Sequence, residues 1–167
     1  MALIFIGGGA RSGKSRKGHS LALELANGSR TVFLATAEAV DDEMTARIKK
    51  HQDERGADFD LVEEPKDLVK ALSQIDSNAT FLVDCLTLWL SNNIMSGGKA
   101  DSQGVIDAAK KRTGSTIFIS NEVGEGIVPM HPVSREFRDL SGIMNQTFAA
   151  ASDEVYLTTF GIAQRIK

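Results

Sequence analysis

Cysteine is nearly absent from this sequence of 167 residues: the single thiol is Cys85, so the chain cannot form an internal disulfide. Small secreted domains usually depend on several disulfides, whereas reducing compartments keep thiols free. The cysteine content therefore excludes a disulfide scaffold and favours a cytoplasmic location. At Cys85 itself we expect a small buried apolar side chain rather than a nucleophile.

Long apolar runs and a strong charge bias are missing too. No stretch approaches the roughly 18 apolar residues of a membrane span, and the opening MALIFIGGGA lacks the basic region of a secretory signal. The net charge of −3 argues against a broad nucleic-acid or membrane-binding field, although a local basic pocket remains compatible with it. We see no internal repeat and no low-complexity tract.

What the sequence does contain is a regular alternation of two kinds of segment, in a chain long enough for one domain spanning residues 1–167. Short runs rich in β-branched and aromatic residues predict strands at Leu3–Gly7, Thr31–Thr36, Phe59–Glu63, Thr80–Asp84, Thr116–Asn121 and Glu154–Phe160. Helical periodicity predicts helices at Lys14–Ala26, Asp41–Arg55, Pro65–Gln74, Leu86–Met95, Gln103–Lys111 and Val133–Ala151. This alternation predicts an α/β fold: a mostly parallel sheet with helices on both faces. Ser96–Gly104 is expected to be a surface loop.

A phosphate-binding loop is the most specific motif. Gly8-x-x-x-x-Gly13-Lys14-Ser15 directly follows the first predicted strand and precedes the first predicted helix, which is the context that the P-loop pattern requires. Its glycines let backbone N–H groups surround phosphate oxygens. Lys14 would reach the β- and γ-phosphates and Ser15 would bind Mg²⁺. We therefore predict a P-loop NTPase of the RecA-like type.

An acidic residue for the metal is expected at the end of a neighbouring strand, and FLVDC supplies Asp84. The alternative is that Asp84 caps the helix that follows. Both roles are compatible with the sequence.

One histidine lies between two arginines at helical spacing. Glu43, Arg47, His51 and Arg55 are four residues apart, so they line one ridge of a predicted helix. On these residues alone the ridge is an ordinary solvated helix face.

Four stretches carry a family resemblance over Ile4–Lys167. GGARSGKSR, the segment around DDEM, LVDCLTLWLSN, and NEVGEGIVP followed by FRDLSGIMNQ are together similar to the bifunctional adenosylcobinamide kinases and adenosylcobinamide-phosphate guanylyltransferases of cobalamin biosynthesis. The resemblance implies phosphorylation of adenosylcobinamide with ATP or GTP. It also implies transfer of GMP from GTP, through a covalent histidine, to give adenosylcobinamide-GDP.

The resemblance also assigns residues. The guanylylated histidine of the family corresponds to His51. The second catalytic residue, Lys14, and the Mg²⁺ ligands Ser15 and Asp84 are those already predicted from the phosphate-loop motif and the strand end. Nucleotide contacts are implied at Gly8, Gly9, Ala10, Arg11, Ser12, Gly13, Lys14, Ser15, Ala35, Thr36, Ala37, Gln52, Asp53, Glu54, Arg55, Glu63 and Asp84. Two arginines beside His51 fit this role, because they favour a neutral, nucleophilic imidazole and can accept phosphate charge.

Other polar residues are left with open roles. His19 is expected to face solvent, and His131 does not match a functional residue of the family. Glu122 would orient the cobinamide hydroxyl or a metal-bound water, or else pair with an arginine. Arg135, Arg138 and Asp139 would serve the corrinoid, the phosphates or a subunit interface, and Trp89 and Phe148 are expected in the core or an interface.

Two alternatives to the bifunctional enzyme remain at this point. A P-loop kinase of small molecules would use Lys14, Ser15 and Asp84 without a covalent histidine. A nucleotide-binding switch is disfavoured because the chain has no N-K-x-D pattern for guanine. The resemblance further implies a homotrimer, and the segment Ser96–Thr113 is shorter than in relatives, which leaves corrinoid binding and assembly less defined.

Overall fold

The computed structural model describes residues 1–38 and 58–167. In these ranges the strands are β1 (Leu3–Gly8), β2 (Thr31–Ala35), β3 (Asp60–Glu63), β4 (Thr80–Asp84), β5 (Thr116–Asn121), β6 (Glu154–Thr159) and β7 (Ile162–Arg165). The helices are α1 (Lys14–Ala26), α2 (Leu68–Gln74), α3 (Leu86–Met95), α4 (Ser102–Lys110) and α5 (Pro132–Ala151). The predicted helix Asp41–Arg55 lies outside the described residues.

All seven described strands belong to one sheet, in the order β3-β2-β4-β5-β1-β6-β7. Every neighbouring pair is parallel except β6 and β7, which are antiparallel. The carboxyl ends of the six parallel strands therefore meet at one edge of the sheet, where open α/β sheets bind their ligands. The predicted α/β class with a mostly parallel sheet is confirmed.

Apolar side chains of the central strands are buried on both faces of this sheet. Ile4 and Ile6 belong to one buried cluster and Phe5 to another, as expected for residues that alternate along a strand. The first cluster includes residues of α1, and the second includes residues of α2 to α5. Helices therefore cover both faces. Trp89 and Phe148 lie in the second cluster, so the expectation of a core position is confirmed.

The prediction of the final strand, Glu154–Phe160, is wrong at its end, because β6 ends at Thr159. The chain reverses at Phe160 and Gly161 and returns as β7, which the sequence prediction missed. Both turn residues have left-handed backbone angles, with φ of 53° and 80°, as a two-residue hairpin turn of type I′ requires. Phe-Gly is not one of the usual Asn-Gly or Asp-Gly signals, which explains why the hairpin was not recognised.

Smaller differences concern where helices begin. Helix α2 was predicted to begin at Pro65 but begins at Leu68. The Asp67 side chain caps it there by accepting a hydrogen bond from the Lys70 N–H at 2.9 Å. The Asp101 side chain likewise accepts from the Gly104 N–H at 2.9 Å, so α4 begins inside the predicted surface loop. None of the helices in the described ranges has the length and apolar character that crossing a membrane requires.

Candidate phosphate-binding site at the carboxyl edge of the sheet

The loop between β1 and α1 has the backbone of a phosphate-binding turn. Gly8, Arg11 and Gly13 all have positive φ, of 155°, 56° and 102°. Gly13 is the N-cap of α1 and, having no side chain, makes no capping hydrogen bond. The first N–H groups of α1 are thus left to an anion, and the positive end of the helix dipole points at the same place.

This loop is tied to the β6–β7 hairpin. The Ser12 and Thr158 hydroxyls are 2.7 Å apart, and Thr158 Oγ1 donates to the Gly7 carbonyl at 3.1 Å. The Gly161 N–H donates to the Ser12 carbonyl at 2.9 Å. A Cβ at Gly8 would overlap both the side chain and the backbone carbonyl of Thr158, so only glycine fits. The loop conformation is therefore fixed by a part of the chain about 150 residues away.

Lys14 lies at the centre of the loop. Its residue is only 7% exposed, and its Nζ donates to the Gly9 carbonyl at 2.6 Å. Burial lowers the pKa of Lys14, while the charge of Asp84 acts in the opposite direction. A carbonyl oxygen leaves the ammonium charge uncompensated, so an incoming phosphate would be its stronger partner.

Asp84 meets Ser15 across the sheet edge. The Ser15 hydroxyl donates to Asp84 Oδ2 at 2.9 Å, which joins the start of α1 to the end of β4. The N-cap of α3 is Cys85 and that helix has no side-chain capping bond, so the structure does not give Asp84 the capping role. Within 1–38 and 58–167 no group of three or more His, Cys, Asp and Glu could hold a metal ion. Ser15 and Asp84 offer two oxygen donors, so an ion held by them would need further ligands from substrate oxygens or water.

Thr36 fixes the end of β4 and has no side-chain atom free for a ligand. It is fully buried, its Oγ1 donates to the Cys85 carbonyl at 2.8 Å, and the same oxygen accepts from the Cys85 N–H at 2.8 Å. Cys85 is buried, and burial followed by the charge of Asp84 raises the pKa of its thiol to about 12. This agrees with the expectation of an unreactive side chain. The Thr36 backbone is occupied as well, since its N–H donates to the Asp84 carbonyl at 3.2 Å and its carbonyl accepts from Asn92 Nδ2 at 2.8 Å.

The remaining predicted contact residues are at the same edge or outside the described ranges. Ala35 is in register with Asp84 on one side and with Glu63 on the other, where β3 forms the edge of the sheet and Glu63 is exposed. Ala37 lies two residues after Ala35, just past the end of β2. His51, Gln52, Asp53, Glu54 and Arg55, together with Arg47, lie outside the described residues.

A polar network beneath the end of β5 was missed by the sequence reasoning. The Asn121 N–H donates to Thr87 Oγ1 at 2.7 Å, and its carbonyl accepts from Asn145 Nδ2 at 3.2 Å. Asn145 Oδ1 also accepts from the Ser120 hydroxyl at 2.6 Å. Asn145 was part of the quoted FRDLSGIMNQ stretch, so its position there was the available signal. The network joins α3, β5 and α5 next to the phosphate loop.

The other charged residues of this region make mostly local contacts. Glu122 accepts a hydrogen bond from the Gly124 N–H. The Arg135 guanidinium donates to the carbonyls of Pro129 and Met130 at 3.0 and 2.7 Å, which closes the loop before α5. Arg138 pairs with its neighbour Asp139 at 2.9 Å.

The two remaining histidines differ in environment. His19 does not simply face solvent: it is half-buried, with ring centroids 5.6 Å from Phe33 and 5.0 Å from Phe59, because the start of β3 brings an aromatic ring over α1. His131 is exposed at the N-cap of α5 and makes no side-chain capping bond.

Solved structures of low sequence identity share this fold. The chain matches the flagellar accessory protein FlaH from Methanocaldococcus jannaschii with a TM-score of 0.52 and 11% identity, over 99% of this chain and 78% of that one. A second solved structure, an ATPase domain, matches with a TM-score of 0.51 and 10% identity, over 93% of this chain and 68% of that one. Such likeness supports the fold alone, and it agrees with the predicted α/β fold with a mostly parallel sheet.

Sequence comparison gives the family. The family model described as cobinamide kinase / cobinamide phosphate guanyltransferase matches residues 4–166. The bifunctional adenosylcobalamin biosynthesis protein CobU of Escherichia coli K12 is 34% identical over 99% of both chains, and CobP of Pseudomonas aeruginosa is 36% identical over 96% of this chain and 94% of its own. With its glycine loop at the carboxyl edge of a mostly parallel sheet, the chain belongs to the cobinamide kinase / cobinamide phosphate guanyltransferase family.

Proposed function

We propose that this chain catalyses two successive reactions of cobalamin biosynthesis. It phosphorylates the hydroxyl of adenosylcobinamide with ATP or GTP, and it then transfers GMP from GTP to the new phosphate to give adenosylcobinamide-GDP. The observation that carries the proposal is the placement of Lys14 and of the Ser15–Asp84 pair around one glycine loop, in a chain of this family.

In the first reaction the phosphate loop holds the triphosphate. The cobinamide hydroxyl oxygen attacks the γ-phosphorus, the bond from the γ-phosphorus to the bridging oxygen breaks, and the nucleoside diphosphate leaves. Lys14 Nζ exchanges its carbonyl partner for phosphate oxygens and stabilises the charge that moves onto the bridging oxygen. Because Lys14 is only 7% exposed, little water screens this interaction.

Mg²⁺ fits the two oxygen donors beside the loop. Mg²⁺ prefers oxygen ligands and usually keeps several waters, so a hydroxyl and a carboxylate together with phosphate oxygens suit it. Ser15 and Asp84 would hold it, with Ser15 released from its present bond to Asp84 Oδ2. Bound there, the ion would neutralise charge on the phosphate oxygens.

The second reaction depends on His51, which lies outside the described residues. Its neutral imidazole attacks the α-phosphorus of GTP, pyrophosphate leaves, and a phosphoramidate forms. A phosphate oxygen of adenosylcobinamide phosphate then attacks the same phosphorus and the bond to His51 breaks. The spacing of Arg47 and Arg55 supports the proposal, since each is four residues from His51 in the sequence and an arginine can receive the pyrophosphate charge.

Two labels test this function on the unsubstituted chain. With adenosylcobinamide and GTP, label from the γ-phosphate should appear in adenosylcobinamide phosphate, and label from the α-phosphate should appear in adenosylcobinamide-GDP. Transfer of the γ label without the α label would indicate the kinase alone. Absence of both would contradict the proposed function.

The assembly and location implied by the family resemblance are part of the same proposal. We expect a homotrimer, acting in the cytoplasm on nucleotides and a cobinamide. Sedimentation equilibrium of the purified chain should give three times the mass of 18.0 kDa. A mass of one chain at assay concentration would contradict the trimer.

A further inference from the structure

Asn121, the last residue of β5, lies between the two strands that carry the candidate phosphate site. β5 is flanked by β1 on one side and by β4 on the other, and Asn121 is in register with Gly8 at the start of the phosphate loop. β4 ends at Asp84, which is in register with Ile119, so β5 continues two residues further toward the ligand edge. Since neighbouring strands are about 4.8 Å apart, Asn121 is close to both halves of the site.

The side chain of Asn121 is on the same face of the sheet as the phosphate site. Side chains alternate along a strand, and Ile119 belongs to the buried cluster that includes residues of α1, so Asn121 is on the α1 face as well. The Ser15–Asp84 bond is on that face, because Ser15 is in the first turn of α1. Asn121 Nδ2 is 4.0 Å from the Sγ atom of Cys85, which directly follows Asp84. The amide group therefore lies beside the pair that would hold the metal.

The backbone of Asn121 is held in place from two helices. Its N–H donates to Thr87 Oγ1 of α3 at 2.7 Å, and its carbonyl accepts from Asn145 Nδ2 of α5 at 3.2 Å. These bonds use the main chain of Asn121 and do not involve its side-chain amide. Supporting contacts of this kind position a ligand-binding group before the ligand arrives.

The side-chain amide has hydrogen-bonding capacity that the described part of the protein does not use. In the ranges 1–38 and 58–167, the contact with Cys85 Sγ is the one hydrogen bond of this side chain. A thiol sulfur is a weak acceptor, whereas the amide has two N–H donors. Asn121 is half-buried, so these donors are available to a stronger acceptor at the ligand edge.

The γ-phosphate is the part of a nucleotide that belongs at this place. In a P-loop the backbone holds the α- and β-phosphates, and the Mg²⁺ ion bridges the β- and γ-phosphates. The loop follows β1, and the two oxygen donors for the metal are Ser15 and Asp84, at the end of β4. A residue on β5, between the loop and Asp84, is therefore on the side of the γ-phosphate.

We propose that the Asn121 side-chain amide donates a hydrogen bond to a γ-phosphate oxygen of the nucleoside triphosphate bound at Gly8–Ser15. The inference rests on the proposed function, because it needs a nucleotide in the loop. In phosphoryl transfer, charge is spread over the three equatorial oxygens of the γ-phosphoryl group. A fixed N–H donor at one of these oxygens stabilises that charge. Asn121 would thereby favour the binding of a triphosphate over a diphosphate.

The test compares two adenine nucleotides that differ by the γ-phosphate. Dissociation constants are measured by calorimetry, with Mg²⁺, for ADP and for the β,γ-imido analogue of ATP, neither of which the GMP-transfer reaction consumes. The variants are Asn121→Ala, which removes the amide, and Asn121→Asp, which keeps its shape but has no N–H donor. Asn78→Asp is the matched control, because Asn78 is exposed before the start of β4, at the opposite edge of the sheet. It would also keep the oxygen that accepts from the Thr113 hydroxyl.

A γ-phosphate contact predicts that Asn121→Ala weakens the imido analogue about tenfold and changes the affinity for ADP by less than about twofold. Asn121→Asp should weaken the analogue at least as much, because its carboxylate repels the phosphate, and Asn78→Asp should bind both ligands as the unsubstituted chain does. Unchanged affinity for the analogue in either Asn121 variant would overturn the inference. An equal loss for ADP would overturn it too, since that is the result of a purely structural role. If the unsubstituted chain binds neither nucleotide, the nucleotide site of the proposed function is refuted together with the inference.

Discussion

Two loops follow neighbouring parallel strands at the same edge of the sheet, and they are built in opposite ways. The phosphate loop after β1 is held by hydrogen bonds from the β6–β7 hairpin, and its Lys14 is buried. The loop after β5, residues 122–131, exposes large apolar side chains, with Ile127 at 98% and Met130 at 90%. The two loops meet where the Glu122 N–H donates to the Gly8 carbonyl at 2.9 Å.

This difference predicts different responses to substitution in the two loops. Phosphate is bound largely by backbone N–H groups, so the loop that binds it must have one fixed backbone conformation. The large apolar side chains Ile127 and Met130 of the second loop are exposed and do not pack in the core. Substitutions in the first loop should therefore affect chemistry and folding strongly, whereas substitutions in the second should leave folding unchanged.

The largest expected effect is at Lys14. Lys14→Ala removes the main positive contact of the γ-phosphate in a site with little water, so we expect phosphoryl transfer to adenosylcobinamide to fall about a thousandfold. The measurement is the initial rate of γ-label transfer, with circular dichroism to show that the variant is folded. A folded variant with near-normal rate would refute the role of the phosphate loop.

A pair of glycines compares the two loops directly. Gly8→Ala places a Cβ against Thr158 and should lower the free energy of unfolding by about 3 kcal/mol. At Gly126, in the second loop, an added Cβ meets nothing within 4 Å, so Gly126→Ala should change stability by less than about 0.5 kcal/mol.

Urea unfolding of both variants makes this comparison. A third variant, Gly9→Ala, is a control within the phosphate loop, because a Cβ at Gly9 also has open space. Equal stability of the Gly8 and Gly126 variants would contradict the account of a loop fixed by Thr158.

A smaller effect is expected at Asp84. Asp84→Asn keeps an oxygen that can accept the Ser15 hydroxyl but removes the negative charge, so stability should change by less than about 1 kcal/mol. The Mg²⁺ concentration that gives half-maximal kinase rate should rise about tenfold. An unchanged Mg²⁺ dependence would remove Asp84 from the metal site.

The smallest effect is expected at the exposed apolar residues of the second loop. Ile127→Ser should change the free energy of unfolding by less than about 0.5 kcal/mol, because Ile127 is 98% exposed. Ile119→Val is the buried control and should cost about 1 kcal/mol, since Ile119 is fully buried against α1. A loss at Ile127 as large as at Ile119 would show that the second loop is part of the folded core.

Most of the sheet could be predicted because each central strand is a short continuous apolar run, which parallel strands covered on both faces require. The phosphate loop could be predicted because its glycines, Lys14 and Ser15 are adjacent in sequence. By contrast, the contact between Gly8 and Thr158 joins positions about 150 residues apart and leaves no local pattern. The same holds for Asn145, whose partners in β5 depend on how α5 packs.

The hairpin was missed for a different reason. Phe160 occupies a left-handed position that sequence statistics assign to Asn, Asp or Gly, so the local rule pointed to a strand that continues. His51 and its arginines could be predicted as a helical ridge, but the ridge alone was indistinguishable from a solvated surface. Its interpretation as the covalent site came from the family resemblance and stays a prediction.

The central claim is that one chain carries two chemistries, direct phosphoryl transfer at the phosphate loop and GMP transfer through His51. The most direct test measures both reactions on one preparation of His51→Ala, with His131→Ala as control because that histidine is exposed and caps nothing with its side chain. We predict that His51→Ala loses the acid-labile, alkali-stable label from α-labelled GTP and loses adenosylcobinamide-GDP formation, while γ-label transfer to adenosylcobinamide persists. Retained α-labelling in His51→Ala, or loss of both reactions in a folded protein, would contradict the account.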